Sequence, residues 1–256
     1  NLISGYPGTP SSEIIETIYK FPHEGIHLEW SVNEKAALEV ASSASYSGAR
    51  TLVTMKQVGL NVASDPLMSL AYVGVKGGMV IVSADDPGPI SSQTEQDTRR
   101  FADFCRIPVF DPISPEEAYE MIQDAFEYSE KYNTPVLFRP TTRVCHAYAS
   151  IDVDISNGPK KFEGFVKDSS KWVIFPRLSN INHAKIEKRN VEIGQDFGTY
   201  KFNTVINSDL ENFITSTTSN FEVYDGILSL RNIDISTLLI ERIQTFRFFI
   251  VMMILS

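Results

Sequence analysis

The sequence has few cysteines and lacks the common cofactor motifs. Only two of its 256 residues are cysteines, Cys105 and Cys145, and they form no CxxC pair. Because paired cysteines are the usual ligands of structural zinc and of iron–sulfur clusters, neither centre is predicted in this chain. The sequence contains no GxGxxG and no Walker A segment, so a nucleotide site is not supported. The four histidines are scattered and match no metal or catalytic-triad spacing, so no metal site is predicted.

Positive charge and long apolar runs are also scarce. The formal net charge is -9 and the sequence pI is about 5.0, which argues against non-specific binding to nucleic acid or anionic membranes. The apolar stretch at residues 246–256 is shorter than the roughly 20 residues of a membrane helix. No signal peptide precedes the first predicted strand, so we expect a cytoplasmic protein. A start inside a strand and an apolar tail together predict a fragment.

What the sequence does contain is an alternation of strand-like and helix-like segments up to residue 139. Such alternation predicts an α/β fold with a mostly parallel sheet flanked by helices. The strands are predicted near residues 2–3, 26–30, 51–55, 79–83, 107–110 and 135–139. The helices are predicted at residues 10–20, 34–47, from 64 onwards, weakly within 91–104, and at 115–131. Residues 56–61 and 84–89 are predicted as irregular loops after strands.

Helix starts can be predicted from four polar residues that precede helical patterns. Thr9 is predicted as an N-cap followed by Pro10 at the first helical position, and Ser64 is predicted to open a helix in the same way. Asn33 is predicted to cap the alanine-rich helix that follows it. Ser114, three residues before a glutamate, has the spacing of a capping box.

In a parallel sheet the segments that follow the strands meet at one edge, where ligands bind in α/β folds. Residues 6–12, 31–34, 56–61 and 85–89 are expected there. The turn at residues 6–12 fits either a ligand site or a well-capped turn without a ligand. Glu34 fits either a solvated carboxylate in a first helical turn or, if enclosed by the neighbouring loops, a proton donor with a raised pKa.

Four segments in one order carry a family resemblance: residues 5–14, 33–37, 55–61 and 84–99. They closely resemble indolepyruvate:ferredoxin oxidoreductase alpha subunits, which belong to the thiamine-diphosphate-dependent 2-oxoacid:ferredoxin oxidoreductases. The resemblance is close up to residue 148, weaker up to residue 240, and absent from residue 242 onwards.

The resemblance implies a domain plan. Residues 1–148 would form the pyrimidine-binding domain of a thiamine-diphosphate fold, residues 149–198 a linker region, and residues 199–256 part of a second α/β domain with an atypical tail. The diphosphate-binding domain that shares the cofactor is absent from the chain. Magnesium and 4Fe-4S clusters would belong to the full enzyme and not to this chain.

The resemblance also implies the reaction and the partners. The full enzyme would oxidatively decarboxylate an aryl 2-oxoacid, indolepyruvate, to an acyl-coenzyme A and pass the electrons to ferredoxin. The partners would be a diphosphate-binding domain of the same or a partner subunit, a beta subunit, ferredoxin, coenzyme A and the 2-oxoacid. We expect this chain by itself to be inactive.

The resemblance assigns roles to particular residues. The glutamate that matches Glu34 hydrogen-bonds the aminopyrimidine ring and thereby promotes proton loss from the thiazolium carbon, so Glu34 is the implied catalytic residue. The implied cofactor-binding residues are Tyr6, Pro7, Thr9, Gln57 and Gly59. The implied substrate-binding residues are Thr9, Lys56 and Gln96.

Two alternatives remain open at this stage. A glycine that the family places within residues 214–221 is missing, which together with the tail favours a non-catalytic remnant or interaction subunit of the same fold. The intact motifs around Thr9 and Glu34 oppose that alternative. The same motifs also fit a related 2-oxoacid:ferredoxin oxidoreductase with another substrate.

Overall fold

The computed structural model describes residues 1–21, 23–152 and 161–203. The strands in this part of the chain are β1 (Leu2–Gly5), β2 (His27–Trp30), β3 (Thr51–Lys56), β4 (Met79–Ala84), β5 (Val109–Phe110) and β6 (Val136–Phe138). The helices are α1 (Ser12–Ile18), α2 (Glu34–Tyr46), α3 (Gln57–Val62), α4 (Ser64–Val73), α5 (Thr98–Cys105), α6 (Pro115–Tyr132), α7 (Thr142–Cys145), α8 (Ser169–Trp172) and α9 (Pro176–Phe197). None of these helices combines the length and apolar character needed to cross a membrane.

All six strands lie in one parallel sheet in the order β2-β1-β3-β4-β6-β5. The register places Gly5 opposite Thr54 and Lys56 opposite Ala84, so β1, β3 and β4 end side by side. This arrangement confirms the predicted α/β fold with a parallel sheet.

The central strand β4 is buried along its whole length, and its side chains belong to two hydrophobic cores on opposite faces of the sheet. Met79 and Ile81 belong to the core on one face, which includes residues of α2 and α4. Val80 and Val82 belong to the core on the other face, which includes residues of α6. Burial on both faces explains why the strand is a continuous apolar run instead of alternating with polar residues.

The alanine-rich helix α2 lies close to the sheet. Ala37 and Ala41 are fully buried, and the hydroxyl of Ser4 on β1 donates a hydrogen bond of 2.8 Å to the carbonyl of Ala37. Small side chains allow this approach of helix to strand, which fixes where the first turn of α2 lies relative to β1.

Two of the four predicted helix caps are confirmed. The Asn33 side chain accepts from the amide of Ala36 at the start of α2, and the Ser114 hydroxyl accepts from the amide of Glu117 at the start of α6. The cap at Thr9 is wrong, because helix α1 begins at Ser12. The helix predicted to start at Ser64 is confirmed as α4, but Ala63 occupies its N-cap position and no side chain caps it.

The delayed start of α1 has a local cause. The amides of Ser11 and Ser12 both donate to the carbonyl of Gly8, at 2.7 and 3.1 Å, and the Ser12 hydroxyl accepts from the Gly8 amide at 2.7 Å. The segment after Gly8 therefore closes a hydrogen-bonded turn of its own before the helix begins, and Thr9 lies inside that turn.

The prediction of an irregular loop at residues 56–61 is also wrong, because β3 passes directly into helix α3. Gly59 lowers the intrinsic helix propensity of this short segment, so the sequence favoured a loop. In the structure Leu60 is buried in the core between helices and sheet. Burial of this apolar side chain stabilises a helix that local propensity does not favour.

Part of the predicted linker region is a packed helix. Helix α9 buries Ile193 and Phe197 in the same core as strand β4 and helix α6. The Phe197 ring lies 5.2 Å from the Tyr128 ring and 5.4 Å from the Phe110 ring, measured between centroids. The Asp196 carboxylate accepts hydrogen bonds from Lys131 and Tyr132 of α6. The chain therefore continues to pack on the sheet well beyond residue 148. The predicted domain boundaries stay a prediction, and residues 204–256 lie outside the described residues.

We predict that Phe197→Ala destabilises the protein by about 3–5 kcal/mol, because it empties a buried aromatic site that α9 shares with α6 and β5. The free energy of unfolding should be measured by urea titration. Val191→Ala is the matched control, since Val191 lies on the same helix with 63% of its surface exposed. We expect the control to change stability by no more than about 0.5 kcal/mol. Equal effects of the two changes would show that α9 does not pack as described.

Candidate functional site

The carboxyl ends of β1, β3 and β4 bring the predicted site segments to one edge of the sheet. Tyr6 follows β1, and its amide donates to the carbonyl of Thr54 on β3 at 3.2 Å. A Cβ atom built on Gly8 would lie 3.0 Å from the Cβ of Lys56, so the turn after β1 lies against the end of β3. Tyr6, Pro7 and Thr9 are exposed at this edge.

Glu34 is the first residue of α2 and lies half-buried against Gly59 of α3. A Cβ atom built on Gly59 would lie only 2.5 Å from Oε1 of Glu34 and 2.6 Å from its Cγ. Real side chains do not approach so closely, so only glycine leaves room for the carboxylate here. The implied roles of Glu34 and Gly59 thus concern two residues in direct contact.

The Glu34 carboxylate has no hydrogen-bond donor or cation as partner within residues 1–21, 23–152 and 161–203. The neighbouring cap residue Asn33 serves the amide of Ala36 instead. No side chain of those residues therefore neutralises or engages the carboxylate. Its place in the first turn of α2 also puts it near the positive end of the helix dipole.

Gln57 is the first residue of α3 and is fully buried. Its Nε2 atom donates to the hydroxyl of Ser92 at 2.9 Å and to the carbonyl of Thr94 at 3.3 Å. Its Oε1 atom is buried and has no donor in the described part of the chain. Gln57 thus holds the segment between β4 and α5 with one end of its amide and retains an unused acceptor at the other.

Lys56 is the last residue of β3 and is largely buried. Its ammonium group donates to the carbonyl and to the hydroxyl of Ser91, at 2.9 and 3.1 Å. Gln96 is half-buried in the same segment as Ser91, and its Nε2 atom donates to the Thr94 hydroxyl at 3.2 Å. Both side chains that the resemblance assigns to substrate binding are thus bonded within the protein in this structure.

Asp86 follows β4 and was not predicted as a site residue. Its Oδ2 atom accepts from the amides of Ile90 and Ser91 and from the hydroxyl of Ser92, and its Oδ1 atom accepts from the hydroxyl of Thr142. Burial by itself would raise the pKa of this carboxyl, but the four hydrogen bonds outweigh burial and hold the pKa at about 2. The sequence signal that could have identified Asp86 is the pair of carboxylates that follows a fully buried strand.

A second buried carboxylate, Asp85, fixes the ends of β4, β5 and β6 together. It accepts from Arg139 Nε at 2.6 Å, while the same guanidinium donates to both oxygens of Asp111 at 3.1 Å. Burial would lower the pKa of Arg139, but Asp111, Asp85 and Asp97 together raise it above its ordinary value. A buried ion cluster of this kind holds the edge of the sheet in one arrangement, because no member can leave without exposing an unpaired charge.

The structure therefore gathers the predicted residues at one edge, although it does not test their roles. Glu34 and Gly59 are in contact, Lys56 reaches the turn of Thr9 through Ser91, and Gln57 lies beside Lys56. Gln96 belongs to the segment that Gln57 holds. The implied cofactor and substrate residues consequently form one wall along the carboxyl ends of β1, β3 and β4.

Comparison with known proteins shows which family and which proteins this chain resembles. Residues 1–168 match the family model described as pyruvate flavodoxin/ferredoxin oxidoreductase, thiamine diphosphate-binding. The chain is 42% identical over 208 residues to the indolepyruvate oxidoreductase subunit IorA of Pyrococcus horikoshii, covering 79% of this chain and 32% of that protein. It is 44% identical over 232 residues to the same subunit of Methanothermobacter thermautotrophicus, covering 89% of this chain and 37% of that protein. The chain thus spans about a third of the length of these curated relatives.

A solved structure shares the fold. The 2-oxoglutarate:ferredoxin oxidoreductase of Magnetococcus marinus superposes with a TM-score of 0.59 at 16% sequence identity, covering 83% of this chain and 44% of that chain. At this identity the likeness concerns the fold alone.

We predict that Gly59→Ala destabilises the protein by about 1–3 kcal/mol, because the new methyl group collides with the Glu34 carboxylate. In the background of Glu34→Ala the collision is removed, so the same change should cost nothing or stabilise the helix, and a double-mutant cycle should give a coupling energy above about 1 kcal/mol. Urea unfolding of the four proteins measures it. Gly194→Ala in α9 is the control, since a Cβ there meets no atom within 4 Å. Identical costs of Gly59→Ala in both backgrounds would refute the contact.

We also predict that Asp86 makes stability depend on pH in the acid range. The folded pKa is lowered from 3.8 to about 2, so the contribution is present above about pH 4 and disappears as the pH falls through about 2. Asp86→Asn should lose less stability than the wild type between pH 5 and pH 2, as measured by urea midpoints. A loss of the same size in both proteins would contradict the hydrogen-bonded carboxylate.

Proposed function

Because the chain belongs to the thiamine-diphosphate-binding family of pyruvate flavodoxin/ferredoxin oxidoreductases, we propose that it supplies one half of a thiamine diphosphate site. The half in question would bind the aminopyrimidine ring. The observation that carries this proposal is the Glu34 carboxylate, which is half-buried, lies against Gly59 and has no partner in the part of the chain described.

The residues at the edge of the sheet fit such a group. Glu34 offers a carboxyl group to a ring nitrogen, and Gly59 leaves room beside it. Tyr6 and Thr9 are exposed on the neighbouring turn, and Gln57 retains a buried acceptor, Oε1, without a donor. A planar heterocycle with hydrogen-bonding edges matches this mixture of apolar surface and few polar groups.

When bound, thiamine diphosphate supplies an electron sink for the decarboxylation of a 2-oxoacid. The residues of this chain then have the tasks of binding and proton placement. Glu34 holds a proton between its carboxyl oxygen and the ring nitrogen.

The remaining parts of the reaction belong to the rest of the assembly in this proposal. A diphosphate-binding domain with magnesium completes the cofactor site. A beta subunit, iron–sulfur clusters, coenzyme A and ferredoxin take part in electron and acyl transfer. This division agrees with a chain that spans about a third of its curated relatives.

Indolepyruvate is the proposed substrate. Two relatives named as indolepyruvate oxidoreductase subunits are 42% and 44% identical to this chain over aligned stretches that cover most of its length. The proposal assigns Thr9, Lys56 and Gln96 to the substrate side of the site. Another 2-oxoacid is the competing candidate, and comparison of indolepyruvate with pyruvate and 2-oxoglutarate as substrates decides between them.

We predict that Glu34→Gln lowers kcat by about 100-fold or more, since an amide cannot hold or release the proton. The assay is indolepyruvate-dependent reduction of an electron acceptor by the enzyme assembled from this chain and its partners. Glu39→Gln is the matched control: Glu39 is an exposed glutamate one turn along the same helix, and we expect its kcat to stay within about twofold of the wild type. Full activity of Glu34→Gln would remove the catalytic role.

A further inference from the structure

Ser91 lies in the β4–α5 segment, defined here as residues 85–97, and is held by one residue of that segment and by two other parts of the chain. Its amide donates to Asp86 Oδ2 at 2.9 Å. Its carbonyl and its hydroxyl both accept from Lys56 Nζ, and its hydroxyl donates to the carbonyl of Thr9 at 3.5 Å. Every polar group of Ser91 therefore has a partner, and these partners lie at or just beyond the carboxyl ends of β1, β3 and β4.

Both hydrogen bonds described for the Lys56 ammonium group go to Ser91. The side chain is 9% exposed and lies against Gly8 of the turn after β1. No carboxylate forms an ion pair with Lys56 in the part of the chain that the structure describes. An ammonium group on a largely buried side chain needs hydrogen-bond acceptors, and Ser91 supplies two of them.

Gln57 and Ser92, which follow Lys56 and Ser91 in the sequence, are also hydrogen-bonded to each other. The Ser92 hydroxyl donates to Asp86 Oδ2 at 2.8 Å and accepts from Gln57 Nε2 at 2.9 Å. Two consecutive residues at the β3–α3 junction thus hold two consecutive serines, and one carboxylate gathers both serines from the other side. The β4–α5 segment is tied at its middle as well as at its ends.

We propose that Lys56 is a positioning residue, which acts through Ser91 to fix the β4–α5 segment against the turn of Thr9 and so shapes the substrate-facing wall of the site. The hydrogen bonds from Lys56 to Ser91 are called the Lys56–Ser91 tie below. The role in substrate binding rests on the proposed function, whereas the tie itself does not. The competing interpretation, direct contact of the Lys56 ammonium with the substrate carboxylate, differs in what it predicts for Ser91.

Hydrogen exchange in the complete chain tests the tie without any assay of activity. In Lys56→Met the amides of Ile90 and Ser91 should exchange at least about tenfold faster, because two charge-assisted hydrogen bonds are lost. Ser91→Ala keeps the carbonyl acceptor and should give a smaller increase in the same amides. Lys76→Met is the matched control, since it removes an ion pair with Glu163 and lies before β4 at the opposite edge of the sheet.

Kinetics of the assembled enzyme test the consequence for the substrate. Both Lys56→Met and Ser91→Ala should raise KM for the 2-oxoacid, by about tenfold and by a few-fold respectively, while kcat changes little because the contact of Glu34 with Gly59 is untouched. If Lys56 contacted the substrate directly, Lys56→Met would raise KM and Ser91→Ala would leave KM unchanged.

The possible results distinguish the tie from its effect on substrate binding. Unchanged exchange in Lys56→Met overturns the tie, and faster exchange with unchanged KM overturns its role in shaping the substrate wall. If Lys56→Met does not fold, Ser91→Ala decides both points by itself. An assembled enzyme without wild-type activity on any 2-oxoacid would instead contradict the proposed function, and the exchange experiment would still judge the tie.

Discussion

The burial of the central strands on both faces of a parallel sheet is the constraint on which the rest of the structure depends. Every residue of β4 is buried, so helices must cover the sheet from both sides. Parallel strands joined by these helices all end at the same edge. The turn after β1, the first turn of α3 and the β4–α5 segment meet there for that reason, although they are far apart in sequence.

Close packing at that edge requires a glycine inside helix α3, which lowers the helix propensity of that segment. Helix α3 begins at once after β3 and carries Gly59 in its interior, where glycine costs roughly 1 kcal/mol relative to alanine. The missing side chain admits the Glu34 carboxylate of α2. The lower helix propensity at Gly59 thus accompanies a half-buried carboxylate that has no partner within the described chain.

Polar ties then hold the loops that surround this carboxylate. Asp86 gathers Ser91 and Ser92 with hydrogen bonds of 2.8–2.9 Å, and Lys56 and Gln57 hold the same serines from β3. A loop with so many internal hydrogen bonds loses little conformational entropy when a ligand binds. Its own hydrogen bonds therefore hold the β4–α5 segment in one arrangement at the edge of the sheet.

The sequence by itself determined the α/β class, the strands and the caps at Asn33 and Ser114. Its motifs indicated the family and pointed to Glu34 as a candidate site residue. These follow from hydrophobic period and local cap chemistry, which act over a few residues. Only the tertiary structure decided that residues 57–62 form a helix, that α9 packs on the sheet, and that Lys56 is bonded to Ser91. Each of these depends on a contact between residues distant in sequence, whose free energy outweighs local propensity and which no local pattern records.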